Sequence, residues 1–441
     1  MTSPALAPRT GPAGAAGLSR RLVLLLALTC AVAVGNLYFP QAIGPLIATS
    51  LHVPADRAAL VVTATQLGYT AGMVFLVPLG DRIRHRTLLV VMLSLSGLAL
   101  LAAGSAPGLP PLAAASALVG LTTVAAQIIS PLAAGLVAPD HRGAVLGTLL
   151  SGSTGGMLLA RTFSGTLGEW LGWRAPYLAA AVAALALAAV MAYAVPSTAP
   201  AASATRGSYL ALLAEAPRLL RAEPELRRSC FYQATVFGGF SAAWTCLALL
   251  LTGPVYGYGA EAVGLLALVG AATMLCTPYA GRLVDRHGPG RVNLFSLLGV
   301  LAAAAVLAAG PLGGPAGLTA LTAGTLLLDI AMQSGTLANL SRVYALRPDA
   351  RSRLNTAYMT CAYLGGTAGS WLGVRAYTAF GWPAVCALIA LLASAALTHH
   401  LAPRRPAGAA RPSRTGDHPS RTGDHPSRTG DRPRRMRDRP S

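Results

Sequence analysis

Lysine is absent from this chain, and acid is scarce: 15 Asp and Glu stand against 34 basic residues, every one of them Arg. Without Lys there is no Gly-x-x-x-x-Gly-Lys loop to cradle a nucleotide triphosphate, so ATP-driven chemistry is excluded. Charged residues make up 11% of the chain, against roughly 25% in soluble domains. A water-soluble core able to bury the 54% that is hydrophobic is not expected, whereas helices facing lipid need none. The six cysteines, Cys30, Cys230, Cys246, Cys276, Cys361 and Cys386, fall in apolar stretches without metal-ligand spacing. They read as small buried hydrophobes, and no metal or cofactor is expected. No histidine lies well inside an apolar stretch, which argues against an intramembrane enzyme built on a nucleophile with a base. The positive charge sits in alternate loops and tails, so it points to a membrane rather than to nucleic acid.

What the chain does have is long apolar runs and internal repetition. Twelve stretches can each cross roughly 30 Å of hydrocarbon. They lie near 21–47, 57–80, 86–105, 110–137, 143–168 and 174–195, then near 229–252, 260–284, 291–310, 316–341, 353–379 and 381–401. The turn Gly80-Asp81-Arg82-Ile83-Arg84-His85-Arg86 recurs as Gly281-Arg282-Leu283-Val284-Asp285-Arg286-His287-Gly288-Pro289-Gly290-Arg291. Pro139-Asp140-His141-Arg142 matches Pro348-Asp349-Ala350-Arg351, and Gly172-Trp173 matches Gly381-Trp382. Repeats so spaced predict an all-α membrane protein of twelve helices in two pseudo-symmetric six-helix bundles, with a path between them.

The expected organisation is a tail over 1–20, a bundle over 21–195, a linker over 196–228, a second bundle over 229–401 and a disordered Arg-rich tail over 402–441. The first span is too long for the apolar core of a signal peptide and reads as an uncleaved helix. Tyr209 to Leu220 predicts a short amphipathic helix at the lipid headgroups. The tail repeats Pro-Ser-Arg-Thr-Gly-Asp-His, has little apolar surface to bury, and predicts no specific role beyond contact with anionic lipid. Arg82, Arg86, Arg142, Arg286, Arg291 and Arg351 fall on one side, with only Arg57, Arg174 and Arg375 near loops on the other. The positive-inside rule then makes both termini cytoplasmic.

These motifs resemble the major facilitator superfamily, whose pattern after the second helix is Gly-x-x-x-Asp-Arg-x-Gly-Arg-Arg. The later copy supplies Gly281, Asp285, Arg286, Gly288 and Arg291; the earlier keeps Asp81, Arg82 and Arg86 but has Val77 and Arg84 at glycine positions. Gly35-Asn36-Leu37-Tyr38-Phe39-Pro40-Gln41 and Leu328-Asp329-Ile330 are similar to arabinose-efflux-type permeases, which sit with the drug:proton antiporters. Gly147-x-x-x-Ser151-Gly152-x-x-Gly155-Gly156 resembles the antiporter motif, with Ser151 and Gly152 in place of its central Gly-Pro. The resemblance implies a bacterial inner-membrane transporter, a monomer, exporting a small organic compound against entering protons. Uptake by symport, facilitated diffusion and a non-transporting sensor are the rivals.

Candidate residues follow from cost and position. Asp329 is the one acid well inside a predicted span, where a carboxylate costs several kcal/mol unless paired or neutralised. It is either the carrier of a coupling proton or a permanently hydrogen-bonded structural acid, with Gln333 one turn on as a candidate partner, knitting the tenth span to a neighbour. Arg161 is the one basic residue near mid-membrane. It either holds an anionic group or competes with a proton, or it snorkels towards Glu169. Asp81 and Asp285 are gating candidates, paired with Arg142 or Arg351 or set at a helix N-terminus. Asn36, Tyr38, Gln41, Gln66, Tyr69, Gln127, Gln233, Trp244, Gln333 and Asn339 are expected to face a central cavity. The helices that line it in the resembled family favour Asn36, Gln41, Gln127, Gln233 and Gln333, and a few amides in an apolar wall predict a hydrophobic or amphipathic substrate. Each is equally suited to tie helices together.

Overall fold

The computed structural model describes residues 19–137, 142–195, 209–270, 273, 276–347 and 351–402. All regular structure among them is helical. The first span is two helices, α1 (Arg20–Tyr38) and α2 (Pro40–Leu51). They part at Phe39 because Pro40 has no N–H to continue the ladder. α3 (Ala55–Ala58) and α4 (Leu60–Phe75) form the second span, and α5 (His85–Gly104) the third. α6 (Leu109–Thr122) and α7 (Ala125–Leu136) share the fourth; α8 (Arg142–Leu171) and α9 (Arg174–Ala194) are the fifth and sixth. After α10 (Tyr209–Ala222), the second bundle runs through α11 (Pro224–Thr252), α12 (Ala260–Gly270), α13 (Thr277–Leu307), α14 (Gly314–Leu346), α15 (Arg351–Phe380) and α16 (Trp382–Leu401).

Three details differ from the sequence expectation. α11 begins at Pro224 rather than 229: proline suits a first helical turn, and Glu225 there faces the positive end of the helix dipole. The eighth and ninth spans are joined through α13, whose chain turns at Gly288 with φ 77° just before Pro289. Among the described residues, nine helices are both long and apolar enough to cross a bilayer. α8 and α15 run 30 residues each, and α12 has 11 residues before the eighth span breaks.

The two bundles repeat each other in detail. Gly172 and Gly381 both take positive φ, 84° and 72°, a conformation glycine reaches without penalty. The tryptophan after each, Trp173 and Trp382, is buried. The first and fifth spans meet backbone to backbone: a Cβ on Gly156 would lie 2.1 Å from the Ala31 carbonyl oxygen. The seventh and eleventh meet in the same way, with Gly365 against the Ala234 carbonyl at 2.2 Å. Small residues at such crossings let helices associate in lipid, where no hydrophobic force drives them together.

α10 is a helix as expected, but it packs on protein. Leu219 is buried in a cluster with Leu226, Val343 and Tyr358. The Tyr209 hydroxyl donates to the Phe75 carbonyl at 2.6 Å, and Glu215 pairs with Arg353. Arg218 and Arg221 remain exposed. The linker helix therefore touches both bundles at their arginine-rich end. Residues 1–18, 138–141, 196–208, 348–350 and 403–441 lie outside the described residues, and with them most of the Pro-Asp repeat and the tail.

Candidate substrate and coupling site

Arg161 on α8 is fully buried. Its Nε donates to Gln41 Oε1 at 2.9 Å and its Nη1 to the Met157 carbonyl at 3.3 Å. The guanidinium lies over three rings, 4.3 Å from the centroid of Trp244, 5.1 Å from Tyr38 and 5.6 Å from Phe240. Such contacts are worth about 2 kcal/mol when desolvated, which suits a cation that cannot shed its charge. The indole of Trp244 also donates its N–H to Asp329 Oδ1 at 3.2 Å. One aromatic side chain on α11 thus touches the buried cation of the first bundle and the buried acid of the second. Arg161 and Asp329 form no direct ion pair, though each lies within electrostatic reach of the other.

These contacts supply the partners of both residues. Arg161 does not snorkel towards Glu169, whose Oε2 instead accepts from the Ala260 amide at 2.8 Å. The partner of Asp329 is Trp244 rather than Gln333, which is half-buried and makes no hydrogen bond among the described residues. Three side-chain atoms at this centre are buried without a partner: Gln41 Nε2, Arg161 Nη2 and Asp329 Oδ2.

The remaining amides divide. Gln127 donates to the Tyr69 hydroxyl at 3.1 Å and lines a cavity of about 170 Å³ between Val77 and Pro78 of the first bundle, Thr356 and Thr360 of the second, and Glu215 of α10. Gln233 is tied inside the second bundle: its Nε2 donates to Thr336 at 2.9 Å, and its Oε1 accepts from Tyr358 at 2.7 Å. Asn36 is buried. Tyr363 was not singled out by the sequence, yet its hydroxyl meets that of Tyr38 at 3.3 Å and its ring lies 4.4 Å from that of Tyr69. Nothing local in the sequence signals these contacts, since Tyr38 and Tyr363 are 325 residues apart.

At the arginine-rich end, Gly288 turns the chain, while Asp285, Arg286 and Arg291 are exposed. Gly281 packs near Leu337. Arg82 and Arg86 are half-buried; the side chains of Asp81 and Arg142 lie outside the described set. Asp285 makes no ion pair among the described residues, and Arg351 Nε donates to the Tyr344 carbonyl at 3.3 Å rather than to an aspartate. Ion pairs run instead from the linker region to the turn between α14 and α15: Glu215 with Arg353, Glu223 with Arg347 at 2.9 Å, and Glu225 with Arg342 at 3.9 Å. At the opposite end α8 and α12 close on each other, with Thr162 Oγ1 donating to the Gly264 carbonyl at 2.7 Å.

A family model described as Major Facilitator Superfamily matches residues 24–345 and 262–435. The chain is 37% identical over 369 residues to Uncharacterized transporter YgaY of Escherichia coli O157:H7, covering 84% of this chain and 92% of that protein. It is 35% identical over 382 residues to Probable transporter SCO4007 of Streptomyces coelicolor, covering 86% of each. A more distant relative, 29% identical over 60% of this chain and 67% of its own length, is the Chloramphenicol resistance protein of Streptomyces lividans. Among solved structures, the nucleoside transporter NupG superposes with a TM-score of 0.65 at 12% identity, over 86% of this chain and 98% of that one. At such identity the likeness speaks for the fold.

Proposed function

Because the chain belongs to the Major Facilitator Superfamily, we propose that it exports a small hydrophobic or amphipathic organic compound in exchange for protons. The observation that carries this reading is the contact of Trp244 with both Arg161 and Asp329, at the meeting of the two bundles. A carboxylate held there is the natural seat of a coupling proton, and a buried cation beside it responds to whether that proton is present. The Arg161–Trp244 contact joins the bundles without a covalent or ionic lock, so they can part and close around the site.

In this reading the arginine-rich end faces the cytoplasm of a bacterial cell, and the transporter works as a monomer in the inner membrane. The cavity beside Gln127 is the cytoplasmic entry. The contacts of α8 with α12 form the outer gate, and α10 with its ion pairs, together with the turns at Asp81 and Asp285, tunes the inner one. The Chloramphenicol resistance protein of Streptomyces lividans supports export. Uptake of an anion is the second reading: Arg161 favours it, as does 32% identity over 64% of this chain to Probable nitrate/nitrite transporter NarK2 of Mycobacterium tuberculosis.

Untargeted comparison of compounds retained by cells with and without the protein identifies the cargo. Inverted vesicles with an imposed pH gradient then test direction: cargo accumulates as protons leave the lumen. Asp329→Asn should abolish that accumulation while sparing cargo counterflow. Unchanged coupling in this variant removes Asp329 from the mechanism.

A further inference from the structure

The partnerless atoms at the centre have a pattern. Arg161, Gln41 and Asp329 are 0%, 1% and 1% exposed, yet Nη2, Nε2 and Oδ2 respectively have no hydrogen-bond partner. Each such atom costs about 1–3 kcal/mol, and more when charged. Three of them around one indole mark a place where a partner is missing rather than ordinary packing.

Their polarity is sorted by bundle. The guanidinium is a planar fork whose Nε and Nη2 share an edge. Gln41 Oε1 occupies Nε at 2.9 Å, which brings the Gln41 side chain, with its amide nitrogen, to the guanidinium. The first bundle therefore presents two unused donors. In the second bundle the Trp244 N–H fixes Asp329 Oδ1 at 3.2 Å, leaving Oδ2 as an unused acceptor. Gly270 lets the backbone of α12 approach that oxygen closely: a Cβ there would crowd it, standing 3.1 Å from Oδ2 and 3.9 Å from the Trp244 ring.

We propose that these atoms form a two-point substrate subsite for an uncharged, flat aromatic molecule carrying an acceptor at one end and an O–H or N–H donor at the other. The acceptor meets Arg161 Nη2 and Gln41 Nε2; the donor meets Asp329 Oδ2. The flat apolar body follows from the rings of Trp244, Phe240 and Tyr38 that surround the guanidinium. Neutrality follows from charge balance, since Arg161 and ionised Asp329 already cancel and a net charge on the occupant would be left unpaired at membrane depth. The inference deepens the export reading and rests on it in one respect, that the bundles part to admit the molecule.

The test uses the purified full-length chain and three probes: para-nitrobenzyl alcohol, which has acceptor and donor, its methyl ether, which lacks the donor, and benzyl alcohol, which lacks the nitro acceptor. Quenching of tryptophan fluorescence reports the nitro compounds, and displacement reports benzyl alcohol. The nitro alcohol should bind about tenfold more tightly than either congener, the effect of ~1.4 kcal/mol. Asp329→Asn and Gly270→Ala should each erase the preference for alcohol over ether, and Gln41→Leu should weaken the preference for the nitro group. Equal binding of alcohol and ether, no binding of any probe, or a preference that survives both Asp329→Asn and Gly270→Ala would overturn the subsite. Proton-driven export without the preference removes the subsite and keeps the transport reading; the preference without proton-driven flux does the reverse.

Discussion

Gly264 on α12 offers a direct handle on the alternation between open ends. A Cβ at this position would stand 2.9 Å from Thr162 Cα and 3.1 Å from its carbonyl oxygen, where apolar atoms need about 3.5–4 Å. Alanine already pushes α12 from α8, and leucine pushes further. The bond from Thr162 Oγ1 to the Gly264 carbonyl, 2.7 Å long, is lost first. The Glu169 carboxylate then loses the Ala260 amide, now at 2.8 Å. With about 1 kcal/mol for the neutral bond and about 1.5–3 for the charged one, the closed arrangement of this end loses roughly 2.5–4 kcal/mol. At about 1.4 kcal/mol per factor of ten, its population falls by roughly two to three orders of magnitude. Spin labels at Trp170 and Tyr258, both exposed at this end, report the change by pulsed dipolar spectroscopy in lipid. In Gly264→Leu the distance distribution should move to longer values and net transport should slow. A native distribution in a variant of native yield and elution would refute the assignment of α8 and α12 as a gate.

Two further outcomes are expected. Trp382 donates to the Leu307 carbonyl at 2.7 Å, whereas the matching Trp173 nitrogen is buried without a partner. Trp382→Phe should therefore cost about 1–2 kcal/mol more stability than Trp173→Phe, read from denaturation in detergent; equal losses would contradict it. Truncation after Arg405 should leave transport intact, and loss of flux at native protein level would give the repeat tail a role in transport.

The spans and the repeat were legible because both are short-range properties. Apolar length declares a membrane helix, and Gly172-Trp173 with Gly381-Trp382 announces the same corner twice. The charges at depth, Arg161 and Asp329, were equally legible, since lipid makes any such residue conspicuous. Trp244 was legible as a side chain facing a central cavity, but its contacts with both charges were not. Trp244 lies 83 residues from Arg161 and 85 from Asp329, and an aromatic residue in an apolar run carries no mark that its N–H is spoken for. The turn motif shows the reverse failure. Its Gly288 takes φ 77°, but Asp285, three residues earlier, is exposed, while Glu215, Glu223 and Glu225 supply ion pairs among the described residues. Those acids sit in a polar linker where carboxylates are common and their partners are set by tertiary folding.

The glycine seams of α1 with α8 and of α11 with α15 have a mechanical consequence. Where carbonyl meets Cα with no side chain between, a sideways load cannot be absorbed by rotamer changes. Each pair then acts as a stiff lever, its longer members α8, α11 and α15 running on the order of 45 Å at 1.5 Å per residue over about 30 residues. A small displacement of the arginine-rich turns reaches the far rim almost undiminished, so the linker can govern events at a distance without touching the cargo.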